Sequence, residues 1–208
     1  YLSLAGSSDF GFGTSDFTVE AFVRPTTVTG TAHIYDSRSG AGDVAGRLYL
    51  ENGQVRYAVG GSDIVTSGAT TLSTNTWYHV AVVRNSSTTK IYVDGVERGS
   101  AADSNDLGSS RALVIGANFA ASNLFTGNID ELRVSKGLAR YTSTPFTVTT
   151  SEFIVDTNTQ LLLHFNGLDG STDILDGSVS VQDVRSSSGG TAGYITLADY
   201  TDFGAELR

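Results

Sequence analysis

Carboxylates, imidazoles and thiols are the groups with which a chain of this size would do chemistry, and here they are spaced poorly for it. The glutamates, Glu20, Glu51, Glu97, Glu131, Glu152 and Glu206, are scattered. Retaining glycoside hydrolysis needs two carboxyl groups about 5 Å apart, which alternate positions of one strand supply. No two of these glutamates lie fewer than 21 residues apart, so none makes such a pair on one strand. His33, His79 and His164 fall in extended runs without a neighbouring Ser/Asp arrangement, so they read as structural or surface histidines rather than members of a triad. There is no cysteine, hence no thiol nucleophile, thiolate metal site or disulfide. The expectation is a protein that is not an enzyme.

Recognition of a polyhydroxylated ligand is the other chemistry within reach. It uses loop Asp, Asn and Arg side chains beside an aromatic platform. Arg38, Asp43, Tyr57, Asn118 and Asn123 lie in or near turn-rich stretches and are the candidates for it. Net charge is -9 over 208 residues. That balance argues against nucleic acid, which selects a basic face, and against an anionic membrane surface. It suits calcium and extracellular solubility. No apolar run approaches the ~20 residues of a membrane span. The chain opens on Tyr1 with neither Met nor a signal peptide, which predicts a fragment or processed product.

The elements that must position these groups are strands. Glycine is abundant (24) and proline rare (2), yet β-branched and aromatic runs return regularly, as in turn-rich β structure. Residues 75–99 organise the rest. Tyr78, Val80, Val82 and Val83 make a strand apolar on both parities, which suits cover on both faces. Residues 85–89 read as a hairpin loop, and residues 90–93 alternate. Asp94-Gly95 then turns the chain, because a type I′ turn needs positive φ at both central positions. Trp77 enters the doubly covered strand and reads as core rather than as a sugar platform. Phe17, Val19, Ala21 and Val23 share one face of another strand, and Asn52-Gly53 joins a second hairpin. Residues 135–141 are the one stretch expected to form a short helical turn, with Ser135 as its cap. Residues 160–165 read as a hydrophobic strand and residues 166–176 as loop. Residues 179–184 and 194–197 read as weaker strands around a flexible 186–190. Short strands with turns every eight to twelve residues predict an antiparallel β-sandwich.

The two ends repeat. Tyr1, Leu4, Ala5, Asp9, Phe10 and Gly11 return in place as Tyr194, Leu197, Ala198, Asp202, Phe203 and Gly204. Ile195 and Thr196 replace Leu2 and Ser3 conservatively. The end of the chain therefore reads as the start of another module, or as a tail that inserts into a neighbouring copy.

Several segments together resemble laminin G-like modules of the concanavalin A-like superfamily. They are the strand from Asp16 to Pro25, Trp77-Tyr78-His79-Val80-Ala81, Ile91-Tyr92-Val93-Asp94-Gly95, the strand from Phe125 to Val134, and Leu161-Leu162-Leu163-His164-Phe165. The continuation through Tyr141 is similar to versions in tail-fibre and other virion proteins of bacteriophages. The resemblance implies an all-β, concanavalin A-like jelly roll over residues 1–167. Residues 168–208 follow as an extension that starts a second module or connects subunits. It also implies one structural Ca2+ at Asp130, and a site in the virion or on the cell surface. The implied partners are a glycan or host surface, or other copies and appendage subunits. Two functions are expected from it: a non-enzymatic surface module that recognises carbohydrate, or a building block that assembles fibres or capsid decoration through its terminal strands. In the resemblance the strand at residues 161–165 opens the module, whereas here it follows the body. It closes the sheet in cis or belongs to the next unit.

Overall fold

A computed structural model of the chain describes residues 1–166, 177, 184–186 and 195–196. The fold is all-β: two antiparallel sheets face each other across one apolar core. The first sheet runs β13-β1-β10-β3-β4-β5-β6. Its strands are β1 (Leu2–Ser7), β3 (Thr31–Asp36), β4 (Gly46–Glu51), β5 (Gln54–Val59), β6 (Ser62–Thr71), β10 (Arg111–Ile115) and β13 (Val184–Ser186). The second runs β12-β11-β2-β7-β8-β9. It consists of β2 (Phe17–Pro25), β7 (Tyr78–Asn85), β8 (Thr88–Val93), β9 (Val96–Ala102), β11 (Gly127–Lys136) and β12 (Thr159–Leu163). A two-residue strand, β14 (Ile195–Thr196), lies parallel to the start of β11.

Alternation decides which side chains meet in the middle. Phe17, Val19, Ala21 and Val23 point inward from β2, as do Val80 and Val82 from β7 and Ile91 and Val93 from β8. Strand side chains alternate sides, so the remaining residues of these strands face away from the core. On β7 and β8 those are Ala81, Val83 and Tyr92, and they too are buried. A strap of residues 137–158 covers them, bringing Tyr141, Phe146 and Phe153 against the sheet. Trp77 packs there with Phe22, Phe153 and Leu162, as a core residue. The double cover read from the β7 sequence is therefore real, and the strap supplies the second layer.

The turns follow their residues. Asp94 and Gly95 both have positive φ (51° and 74°), as do Asn52 and Gly53 (49° and 79°). The loop expected at residues 85–89 is tighter than read: Ser86 and Ser87 alone make the turn, both at positive φ. Strand β12 pairs antiparallel with β11 of the same chain, so residues 159–163 close the sheet in cis.

Two local expectations are corrected. Residues 135–141 form no helical turn. Ser135 and Lys136 stay in the β11 ladder opposite Thr18 and Phe17, and Gly137 then takes φ 74°. The chain past it is held by the Thr18 hydroxyl, which donates to the Leu138 carbonyl and accepts from the Arg140 amide. Conversely, within residues 7–16, whose Gly, Asp and Phe residues read as a loop, Ser8–Phe10 form a 3-10 turn whose Ser7 hydroxyl accepts from the Asp9 amide. The reading of residues 166–176 as loop and of 186–190 as flexible lies almost wholly outside the described residues.

The strap is tied to the β8–β9 turn at one point. The Phe146 amide donates to the Gly95 carbonyl at 2.9 Å, and a Cβ on Gly95 would lie 2.1 Å from the Phe146 carbonyl oxygen. Gly95→Ala must therefore push the strap off the turn. We expect it to destabilise the fold by about 2 kcal/mol or more, read as a lower urea midpoint. An unchanged midpoint would show that the strap is not docked there.

Candidate functional site

The outer faces of the two sheets differ. On the second sheet the strap seals a polar hub. Glu20, on the outward parity of β2, is 0% exposed. Its Oε1 accepts from Arg133 Nε at 2.8 Å, and its Oε2 accepts from His79 Nε2 at 3.0 Å and from the Tyr141 hydroxyl. Tyr141 stacks flat on Phe146, with ring centres 3.8 Å apart, and both meet the His79 ring edge-on. The Arg133 guanidinium lies over Phe153 at 4.1 Å. Burial alone would raise the Glu20 pKa. The His79 hydrogen bond, the Arg133 charge and the Tyr141 hydroxyl outweigh it and hold the carboxyl below its ordinary range. Being sealed from solvent, this carboxylate anchors the strap and has no access to a substrate.

On the first sheet the outer face of β3, β4, β5 and β6 carries polar and aromatic groups. His33 and Tyr49 stack across β3 and β4, with ring centres 5.2 Å apart at 15°. Arg47 lies over the Tyr49 ring at 5.1 Å. Tyr49 donates its hydroxyl to Asp63, and burial with the Asp63 carboxylate pushes its pKa up to about 12, so it stays a donor. Arg56 Nη1 bridges Asp63 (2.7 Å) and Glu51 (3.0 Å). At the edge of this face Arg38 grips Asp36 with two bonds of 2.9 and 2.6 Å, and its guanidinium lies 4.9 Å from the half-buried Phe119 ring. The Phe119 amide also donates to Asp36 Oδ2. Burial lowers the His33 pKa to about 4 despite the pull of Asp36, so the ring is neutral at physiological pH. Among the described residues, both His33 ring nitrogens, Arg47 Nε and Arg56 Nε are buried without a hydrogen-bond partner. Buried donors and acceptors without partners cost free energy, and a polar ligand on this face would satisfy them.

The residues singled out from sequence are distributed unevenly. Arg38, Asn118 and Asn123 meet at one rim of this face. Asn118 Oδ1 accepts from the Ala120 and Ser122 amides and the Ser122 hydroxyl, shaping the loop. The exposed Asn123, at φ 49°, offers its carbonyl to the His33 amide. Asp43 folds its own loop through Ser39 and pairs with Arg111 at 2.9 Å. Tyr57 is a correction. It is 1% exposed, inside the sandwich, with its ring 5.8 Å from Phe17. It shares the inward parity of Val55 and Val59 and offers no platform to a ligand. Sequence reasoning missed His33, Arg47, Tyr49, Arg56 and Asp63. The signal was available, since Arg47, Tyr49, Glu51, Gln54 and Arg56 occupy the outward parity of the Asn52-Gly53 hairpin.

A third cluster surrounds Asp130. A bulge in the β11–β2 ladder follows it, and Glu131 there has φ 50°. Asp130 is buried and its Oδ1 accepts the Glu131 amide. Glu131 accepts from the Phe153 amide and holds His164 Nδ1, both at 2.6 Å. Ligand atoms of Glu131, Glu152 and His164 all lie within 4.8 Å of one another. Burial, then the Glu131 charge, raises Asp130 to a pKa of about 7. The carboxylates are hard oxygen donors of the kind calcium takes. The His164 nitrogen suits calcium less well and is already engaged by Glu131.

Fold and faces define the class: a two-sheet β-sandwich with one sealed and one polar outer surface. A sequence profile of the concanavalin A-like lectin/glucanases superfamily matches residues 1–140. The chain belongs to that superfamily. A solved structure from Bacteroides ovatus ATCC 8483, named as a proposed carbohydrate-binding protein, is similar over 95% of this chain at 18% identity and a TM-score of 0.59. The mouse laminin alpha1 chain, domains LG4-5, is similar over 72% of this chain at 19% identity and a TM-score of 0.50. This chain spans 59% and 45% of those chains, so the likeness is one of fold. No curated protein sequence matches it. No helix among the described residues is long and apolar enough to cross a membrane.

The sealed hub sets a pH dependence. A depressed folded-state pKa adds stability above the unfolded value of about 4.3, lost as pH falls through the folded value. Urea midpoints measured from pH 5 to pH 3, below the range in which the Asp130 and His164 groups of the folded chain titrate, should therefore fall on acidification. Glu20→Gln should flatten its share of that slope and cost about 3 kcal/mol at pH 7, since Arg133 is left buried without its partner charge. A near-neutral variant would mean the hub does not hold the strap.

Proposed function

We propose that this chain is a non-enzymatic carbohydrate-recognition module, displayed on a virion or an extracellular appendage and directed at glycans of a host surface. The observation that carries the reading is the outer face of the first sheet, where buried polar atoms without partners surround the stacked His33 and Tyr49. Arginine and carboxylate forks suit pairs of sugar hydroxyls, and the Phe119 ring suits the apolar face of a pyranose. The solved relative named for carbohydrate binding supports the same reading. The virion setting rests on the phage-like continuation at residues 135–141. The absence of catalysis rests on Glu20, the one glutamate in the polar hub, being sealed under the strap.

A glycan array followed by titration calorimetry on the best hit tests this. Arg56 is partly exposed and lies outside the core, so Arg56→Ala should leave the unfolding midpoint nearly unchanged. It should weaken glycan binding at least tenfold, about 1.4 kcal/mol. Binding unaffected by both Arg56→Ala and Arg47→Ala would move the site off this face.

Calcium is the second part of the proposal. One Ca2+ would sit at Asp130, with the Glu131 and Glu152 carboxylates as neighbouring oxygen donors. It would supply structural cross-linking between β11 and the strap rather than chemistry. A carboxyl whose folded pKa is raised to about 7 costs stability once pH exceeds the unfolded value of about 3.9. In chelator, stability should therefore fall as pH rises from 5 to 8. His164, raised by its Glu131 bond, acts in the same direction. Millimolar calcium should reverse the loss, and Asp130→Asn should remove the calcium response and reduce the loss to the share that His164 contributes. A melting temperature indifferent to calcium at pH 8 counts against the site.

A further inference from the structure

The slot that β1 fills is defined by a few strict positions. Leu2 pairs with Ile115 and Leu4 with Leu113 in the β10 ladder, and both side chains enter the core. Phe10 follows them into it from the 3-10 turn. Gly11 admits no side chain, because a Cβ there would lie 2.1 Å from the Ser109 carbonyl carbon. Leu2, Leu4, Phe10 and Gly11 are the buried positions of the first eleven residues, and the other seven are half-buried or exposed.

Residues 194–204 meet each strict requirement. Ile195, Leu197, Phe203 and Gly204 stand where Leu2, Leu4, Phe10 and Gly11 stand. The differences fall where the slot tolerates them. Asp199 replaces Gly6, at which a Cβ finds only ordinary contacts of 3.9 Å or more. Thr196 and Thr201 replace Ser3, which is half-buried, and Ser8, which is exposed. Tyr200 replaces Ser7, whose hydroxyl bonds to Asp9 are the contacts this second sequence lacks. All four buried positions keep an apolar side chain or glycine, and Tyr1, Ala5 and Asp9 recur as well at the open ones.

Within one chain the slot is already taken by β1. Ile195 and Thr196 lie instead along Gly127 and Asn128 of β11, in parallel pairing. We propose that residues 194–204 are a donor strand for the β1 slot of a second copy of this chain. There, with the acceptor's own β1 displaced, Ile195 and Thr196 would pair antiparallel with Ile115 and Val114 of the acceptor, as Leu2 and Ser3 do in cis. Donor and acceptor on one chain link head to tail, and such a contact propagates unless the ring closes. The inference is independent of carbohydrate binding and stands or falls separately from it.

Leu4→Asp in the full chain weakens the resident strand, and a chain starting at residue 12 removes it. Each is compared with its Leu197→Asp counterpart by thermal unfolding and sedimentation velocity. We expect both to retain a cooperative transition and to sediment at two or more copies per particle. Adding Leu197→Asp should abolish the assembly and the transition together. Leu197→Asp alone should leave the parent chain folded. Three results overturn the proposal. In the first, the variants unfold alike with and without Leu197→Asp. In the second, they stay folded but monomeric, so that the tail fills its own slot. In the third, Leu197→Asp alone unfolds the parent, which gives the segment a task in its own sandwich.

Discussion

Glu20 is charged, buried and on the wrong side of its strand for the core. Taking a carboxylate out of water costs several kcal/mol, and only a full set of partners offsets that cost. Arg133, His79 and Tyr141 come from β11, β7 and the strap respectively, so their convergence on one carboxylate fixes three elements at once. The strap has no ladder of its own. Its place depends on this hub, on Arg140 gripping Asp156 at 2.8 and 2.9 Å, and on the aromatic layer of Tyr141, Phe146 and Phe153. With the strap in place, the outer face of the second sheet is sealed. The polar groups left on an open outer face are then those of the first sheet.

The two polar surfaces obey opposite rules. Around Glu20 every strong charge is paired, as a buried network must be to rigidify rather than weaken a fold. On the β3–β6 face the pairing is incomplete. Arg56 is held by Asp63 and Glu51, yet its Nε and that of Arg47 are buried without partners. The His33 ring is neutral and unbonded at both nitrogens. Arg38, locked on Asp36 beneath Phe119, keeps that rim rigid, so the face is preorganised rather than assembled on binding.

Much of the fold was legible because its signals are local. The alternation of Phe17, Val19, Ala21 and Val23 specified the inner face of β2, and Asp94-Gly95 and Asn52-Gly53 specified two hairpins. The helical turn at residues 135–141 was misread because Ser135, Leu138 and Arg140 carry helical propensity, while the β11 ladder and Thr18 decide their conformation from 117 or more residues away. The site was less legible. Tyr57 was assigned to a loop ligand although its parity with Val55 and Val59 places it inside. Arg47, Tyr49 and Arg56 were overlooked because they form a surface only when β3, β4, β5 and β6 lie side by side. Glu20 looked like one scattered carboxylate among six, since its partners are remote in sequence.

The closing strand ties these features to assembly. Strand β12 occupies the edge of β11 from Leu132 onward, and β14 touches the same edge at Gly127 and Asn128. Strand β13 lies on the outer edge of β1. Segments from the C-terminal part of the chain thus cap one edge strand of each sheet, where bare backbone would otherwise offer a template for pairing. Such caps are short: three residues in β13 and two in β14. A pairing of two or three residues is weak beside the full β1 register, which buries two leucines and continues into Phe10. The repeat of the β1 sequence at residues 194–204 fits the exchange proposed above. The polar outer face lies on the flat of the first sheet and the β1 slot near its edge, so the proposed linking of copies would leave that face open on each one.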